Sequence, residues 1–179
     1  MLITHNGLLK LLEQGVMTDV PLSRVNSASI DVTLGAMVWS EDPRGGVVKL
    51  ACKGCPSLRA QDVGSSGYLL MPGEFVLAQT QERFFMPDDL AAEFRLKSSS
   101  ARAGLEQSLA VWADPGWHGS VLTLELRNNL QHHTLLLEIG MPIGQMIFWR
   151  GEPVPRKASY GARGQYNNDT SATPSKGIR

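Results

Sequence analysis

Between residues 120 and 128 the chain alternates with a period of two: Ser120-Val121-Leu122-Thr123-Leu124-Glu125-Leu126-Arg127-Asn128. On a strand this places Leu122, Leu124 and Leu126 on one face and Val121, Thr123 and Glu125 on the other. The leucine face reads as core. Glu125, opposite it, either meets water or lines a pocket. Other short β-rich runs recur at 29–34, 47–50, 67–71, 75–79, 82–86, 134–139 and 143–149, separated by breaks such as Asp42-Pro43-Arg44-Gly45-Gly46, Met71-Pro72-Gly73 and Asp114-Pro115-Gly116. Short strands at this spacing predict a mainly β fold: a sandwich, jelly roll or barrel. Two helical stretches interrupt them. One is a short N-terminal helix over 7–15, with Asn6 as N-cap and Gly15 as its stop. The other is a turn or more of helix over 98–105, with Ser98 or Ser99 as N-cap and Gly104 near its end.

The pattern fades after Gly151. Residues 151–179 are rich in Gly, Ser, Thr, Asn, Pro, Lys and Arg, with Tyr160 and Tyr166 as the main large side chains. Composition alone favours a frayed terminus there. The functional reading is a lid that orders over a ligand, with Arg156, Lys157, Arg163 and Lys176 available to phosphate.

The 179 residues suit one domain, residues 1–150, followed by that tail. Seventeen basic residues cancel 17 acidic ones, so no broad field is expected that would attract nucleic acid or an anionic membrane. No apolar run is long enough to span a bilayer, and no secretion signal opens the chain, so a cytoplasmic protein is expected. Cys52 and Cys55 form a single C-x-x-C, which lacks both the second ligand pair of a zinc site and the context of a redox motif. They read as two reduced thiols, with structural zinc or a disulfide as minority readings.

Several constellations carry chemistry. Lys97-Ser98-Ser99-Ser100-Ala101-Arg102 gathers hydroxyls and cations suited to phosphate oxygens, although serines in a row are also ordinary capping composition. Asp114-Pro115-Gly116-Trp117-His118-Gly119 reads as a tight turn opening the Glu125 strand, with Asp114 able to bind a sugar hydroxyl. Asp31 lies opposite Ile30, Val32 and Leu34, where a solvated face is the plain reading. Gln145 is a polar residue in a buried strand, and suits a structural hydrogen bond better than catalysis. His132 and His133 read as a surface loop. There is no P-loop, no dinucleotide fingerprint and no zinc-deaminase signature. A carboxylate, hydroxyls and an arginine are the parts of an acid/base site that needs no metal.

Taken in order, the segments 1–17, 27–35, 71–87, 97–105, 114–119, 122–128 and 140–148 resemble the dCTP deaminase branch of the dCTP deaminase/dUTPase superfamily. The resemblance implies a distorted jelly-roll, β-clip fold that forms a homotrimer with active sites between subunits. It also implies a tail that closes over nucleotide, which raises the lid reading of 151–179. The activity implied is deamination of dCTP to dUTP and ammonia without catalytic zinc, magnesium accompanying the triphosphate. Some members also hydrolyse dUTP. By the same match, Glu125 is general base and acid, Ser98 helps hold the water, and Arg102 stands by the reaction centre. Asp114 contacts the deoxyribose, Val111 lies with the base edge, and Lys97, Ser99, Gln145, Tyr160 and Tyr166 complete the nucleotide contacts. Glu125 separates the deaminase reading from a dUTPase-type pyrophosphohydrolase, whose water-activating aspartate matches Asp114. Lys97 replaces an arginine, Val111 and Trp112 replace more polar residues, and the tail lacks the glutamines usual after its tyrosine. A modified cytosine nucleotide as substrate and a non-catalytic nucleotide sensor therefore stay open.

Overall fold

The fold is taken from a computed structural model, which describes residues 1–50 and 54–177. Cys52 lies outside the described residues; Cys55 is an exposed free thiol. The chain is mainly β, as the alternation predicts. A four-stranded sheet has the order β1 (Ile30–Thr33), β11 (Pro142–Arg150), β6 (Leu90–Leu96), β8 (Trp112–Ala113). A five-stranded sheet has the order β3 (Leu58–Asp62), β2 (Met37–Glu41), β5 (Phe75–Phe85), β9 (His118–Asn128), β7 (Leu105–Gln107). A small ribbon pairs β10 (Leu135–Leu137) with β4 (Tyr68–Leu70). Both larger sheets feed one apolar cluster that includes Ile30, Phe94 and Phe148 from the first and Phe84, Leu124 and Leu126 from the second. Helix α1 (His5–Glu13) closes the cluster with Leu8 and Leu11.

Local chemistry explains where expectation and structure part. Helix α1 begins two residues earlier than predicted, with Thr4 rather than Asn6 at the N-cap and no side-chain cap. Its end is as predicted. Gly15 takes φ 73°, its N–H donates to the Leu12 carbonyl, and the Val16 N–H donates to that of Leu11, the double bond of a Schellman stop. Runs 75–79 and 82–86 are one strand, β5, whose register against β9 shifts between Gln79 and Arg83. The bulge absorbs the polar stretch that looked like a break. Residues 47–50 form no strand. Gly45 and Gly46 turn the chain away at positive φ, and Val47 is 89% exposed. Helix α2 (Ser98–Arg102) starts one residue before the predicted caps: Lys97 holds the N-cap position, and no side chain caps it.

The tail is the largest departure from composition. It docks along the body instead of fraying. The Val154 N–H donates to the Asp88 carbonyl, that of Tyr160 to Pro115, and that of Asn168 to His118. Short helix α3 (Tyr160–Arg163) is capped by Ser159, whose hydroxyl also donates to Asp88 at 2.6 Å. Further along, the Val121 N–H donates to the Asp169 carbonyl and the Ala172 N–H to Gln79 Oε1, leaving Ala172 buried. Polar contacts fix this segment where apolar burial could not. Among the described residues, no helix is long and apolar enough to cross a membrane.

Candidate active site

Strands β5 and β9 build the floor of the site. Their register sets Leu77 beside Glu125 and Gln79 beside Thr123. Leu124 and Leu126 are fully buried, whereas Thr123 and Glu125 are half-buried. From Thr123 to Leu126 the two faces are those that alternation assigned. Val121, Thr123 and Glu125 line a cavity of about 500 Å³, which Leu122 also borders, and the pocket reading of Glu125 holds.

The carboxylate sits in a largely apolar wall. Leu58, Phe75, Leu77 and Val111 surround the same space. Gln107, buried on β7, donates from Nε2 to Glu125 Oε2 at 3.1 Å. Burial pushes the Glu125 carboxyl above its ordinary value, partly offset by hydrogen bonds that include the one from Gln107. A carboxylate so placed is readier to take up a proton than one in water.

Strand β8 and the turn after it form a second wall. Val111 is buried there, and its carbonyl accepts from the Phe94 N–H at 3.4 Å. Trp112 is half-exposed and packs against Trp149 with ring centres 5.8 Å apart. Its Nε1 donates to Asp114 Oδ1 at 3.1 Å, and Arg163 from the tail reaches Asp114 Oδ2 at 3.3 Å. Residues 114–117 make the predicted turn, closed by a hydrogen bond from the Trp117 N–H to the Asp114 carbonyl. Gly116 has φ 84°, and a Cβ there would strike Ser159 Oγ and Asp88 Oδ1. The turn thus demands glycine both for its backbone and for the approach of the tail.

The tail supplies the third wall through Tyr160, Tyr166, Asp169 and Thr173. Trp117 Nε1 and Ser120 Oγ both donate to the Tyr166 carbonyl, at 2.6 and 2.9 Å. Lys176 Nζ lies 4.9 Å from the Tyr166 ring centre and 2.9 Å from the Asp169 carboxylate.

The ten site residues expected from sequence fall into two groups. Glu125, Val111, Asp114, Tyr160 and Tyr166 line the same cavity. Lys97, Ser98, Ser99, Arg102 and Gln145 do not line it within a single chain. Ser98, Ser99 and Arg102 are exposed on α2, and none of these side chains forms a hydrogen bond or ion pair among the described residues. Arg102 in particular makes no contact with Glu125. Lys97 Nζ is paired with Asp31 at 2.6 Å, and Asp31 also accepts from Asn26 at 2.7 Å, so Asp31 is a partnered group and not a solvated one. Gln145, beside Asp31 in the β1–β11 register, accepts from Ser29 at 2.7 Å, the structural bond expected of it. Sequence reading did not find Gln107, Trp117 or Asp169. The first follows Leu105 by two on a three-residue strand, too short for alternation to register. The last two act through the docked tail. Among the described residues, no group of three or more His, Cys, Asp or Glu side chains is gathered to hold a metal ion.

The sequence profile of the dCTP deaminase-like family matches residues 2–151. The chain belongs to the dCTP deaminase-like family. Two curated relatives are each called a dCTP deaminase, dUMP-forming. The one from Methanosphaerula palustris is 32% identical over 150 residues, covering 83% of this chain and 79% of the relative. The one from Methanospirillum hungatei is 34% identical over 152 residues, covering 83% and 80%. A crystal structure of the 2'-deoxycytidine 5'-triphosphate deaminase from Agrobacterium tumefaciens superposes with a TM-score of 0.65 at 19% identity, over 84% of this chain and 48% of that one. That likeness establishes the shared fold. The family match stops short of Tyr160, Tyr166 and Asp169, so one wall of the cavity comes from outside it.

Proposed function

We propose that the protein deaminates dCTP and carries the product on to dUMP. The observation that carries this reading is Glu125: a half-buried carboxylate in an apolar cavity, held by a neutral amide and raised in basicity by burial. In the first step Glu125 takes a proton from water as the oxygen bonds to C4 of the cytosine, and passes that proton to N3, which gives a tetrahedral adduct. Glu125 then takes the proton of the adduct's C4 hydroxyl and gives it to the amino group; the C4–N4 bond breaks as C4=O forms, and ammonia leaves dUTP behind. One carboxylate serves as base and then acid, the use to which a raised carboxyl is suited.

The exposed, unpaired Ser98 and Arg102 support sites completed between subunits of a homotrimer. Arg102 of an adjacent copy would reach the water and carboxylate, where its charge favours ionised Glu125. Ser98 would hold the water. Lys97, Ser99 and the tail would take phosphate oxygens, Lys97 as a point charge without a bidentate fork. Asp114 would bind the deoxyribose 3'-hydroxyl, and Val111 would border the base. Tyr160 and Tyr166 would cover the nucleotide as parts of the tail lid. Magnesium would enter with the triphosphate as part of the substrate, which needs no cage of protein carboxylates.

The relatives called dUMP-forming support a second step, in which water cleaves dUTP to dUMP and pyrophosphate. The test is chromatography of the nucleotides after incubation with magnesium and either dCTP or dUTP. The proposal expects dUMP and pyrophosphate from dCTP. Accumulation of dUTP would remove the second step, and unchanged dCTP would remove both.

A further inference from the structure

Gln107 is the one side chain bonded to Glu125 among the described residues, and no role follows for it from the deamination scheme. It is 6% exposed, and its Nε2 donates to Oε2 at 3.1 Å. Strand β7 places it there: Gln107 opposes Leu126, one residue beyond Glu125, and the Ser108 N–H donates to the Glu125 carbonyl at 3.0 Å. The glutamine and the backbone of Glu125 are thus tied to the same strand pair. Resting on the deaminase reading of this site, we propose that Gln107 is a positioning residue for Glu125: its amide holds Oε2 and leaves Oε1 to meet the nucleophilic water.

The chemistry favours an amide at this place. A second cation, added to Arg102 of an adjacent copy, would stabilise the carboxylate so strongly that it became a poor base. An apolar residue would leave Oε2 free to rotate and the charge without a donor. An amide fixes one oxygen, favours the ionised form modestly, and carries no charge of its own. The other ionisable groups around the cavity are already engaged. Asp114 is held by Trp112 and Arg163, Asp169 by Lys176, and Glu106 on β7 accepts from Asn129. Tyr160 and Tyr166 line the space, and Arg127 lies two residues along β9, exposed. None of these has a described hydrogen bond to Glu125, so within one chain Gln107 is left as the group that holds its rotamer.

The test is Gln107→Met, similar in volume but without the donor, with Gln107→Leu as a second variant should the first fold poorly. The readouts are ammonia release from dCTP against pH and the titration of the Glu125 carboxyl by carbon NMR, assigned with Glu125→Gln. The expected result is a kcat reduced at least about 10-fold, as for a lost charge-assisted hydrogen bond, with KM little changed. The acid limb of kcat/KM and the carboxyl titration should both move to higher pH. An unmoved titration, or a loss confined to KM or melting temperature, would overturn the proposal. If the parent protein releases no ammonia, the deaminase reading fails by itself, and the NMR titration still decides whether Gln107 governs the Glu125 charge.

Discussion

Glu125→Gln is the sharpest perturbation of this site, because it removes charge while preserving shape. The new side-chain carbonyl can still accept from Gln107 Nε2, so the 3.1 Å contact that fixes the residue survives. Leu124 and Leu126 on the opposite face are untouched and fully buried. What disappears is the ability to take a proton from water. A positioned general base contributes about 10²- to 10⁴-fold, roughly 3–5 kcal/mol of barrier. Because this carboxylate would act twice, as base and as acid, ammonia release should fall toward the upper end of that range. Nucleotide affinity by calorimetry should change little. Stability supplies a control with a definite sign. Burial raises the Glu125 carboxyl above its unfolded value, so the folded state holds the proton more tightly. Stability is then favoured by protonation at low pH, and is lost as pH rises through the folded value. The variant, which never ionises, should melt no lower than the parent at neutral pH, and any advantage should vanish under acid conditions. Ammonia release within about 10-fold of the parent would refute the assignment of Glu125 as base and acid.

Four further outcomes follow from the same geometry. The acid limb of kcat/KM should lie above the usual carboxylate range, since activity needs ionised Glu125 and burial raises its titration; a profile that stays flat down to the ordinary glutamate range would contradict this. Truncation after Arg150 should raise the KM for dCTP at least about 10-fold, because the tail provides Tyr160, Tyr166 and Asp169 to the cavity; unchanged kinetics would mean the docked tail does not act as a lid. Gly116→Ala should cost about 1–3 kcal/mol through its positive φ and the clash with Ser159 and Asp88, seen as faster proteolysis of the tail; equal cleavage rates would deny that this turn secures it. Leu124→Ala, at a fully buried position, should destabilise by about 2–5 kcal/mol in denaturant titration, and a smaller loss would place the core elsewhere.

The parts of this protein that were legible in the sequence share one property: their burial is written in large apolar side chains. Leu122, Leu124 and Leu126 announced β9 and hence the face of Glu125. Strand β6 was hidden because its inward residues are Leu90, Ala92 and Phe94, and alanine neither marks a face nor favours a strand. Strand β3, Leu58–Asp62, is mostly exposed and has no apolar face to read. The tail was misjudged by composition for the same reason. Its anchorage consists of hydrogen bonds donated by Ser159, Trp117 and Ser120 and one that Gln79 Oε1 accepts from the Ala172 N–H, which no hydropathy pattern records. In the site, the carboxylate and the turn aspartate were found from alternation and turn chemistry, whereas Gln107 depended on the pairing of β7 with β9. The exposure of Ser98 and Arg102 is likewise a property of the folded chain, and it is what directs attention to a neighbouring copy.

Ammonia release is the direct signature of deamination at this site. The purified protein with magnesium and dCTP should release one ammonia for each dCTP consumed. Consumption of dCTP without ammonia, or binding without consumption, would contradict it.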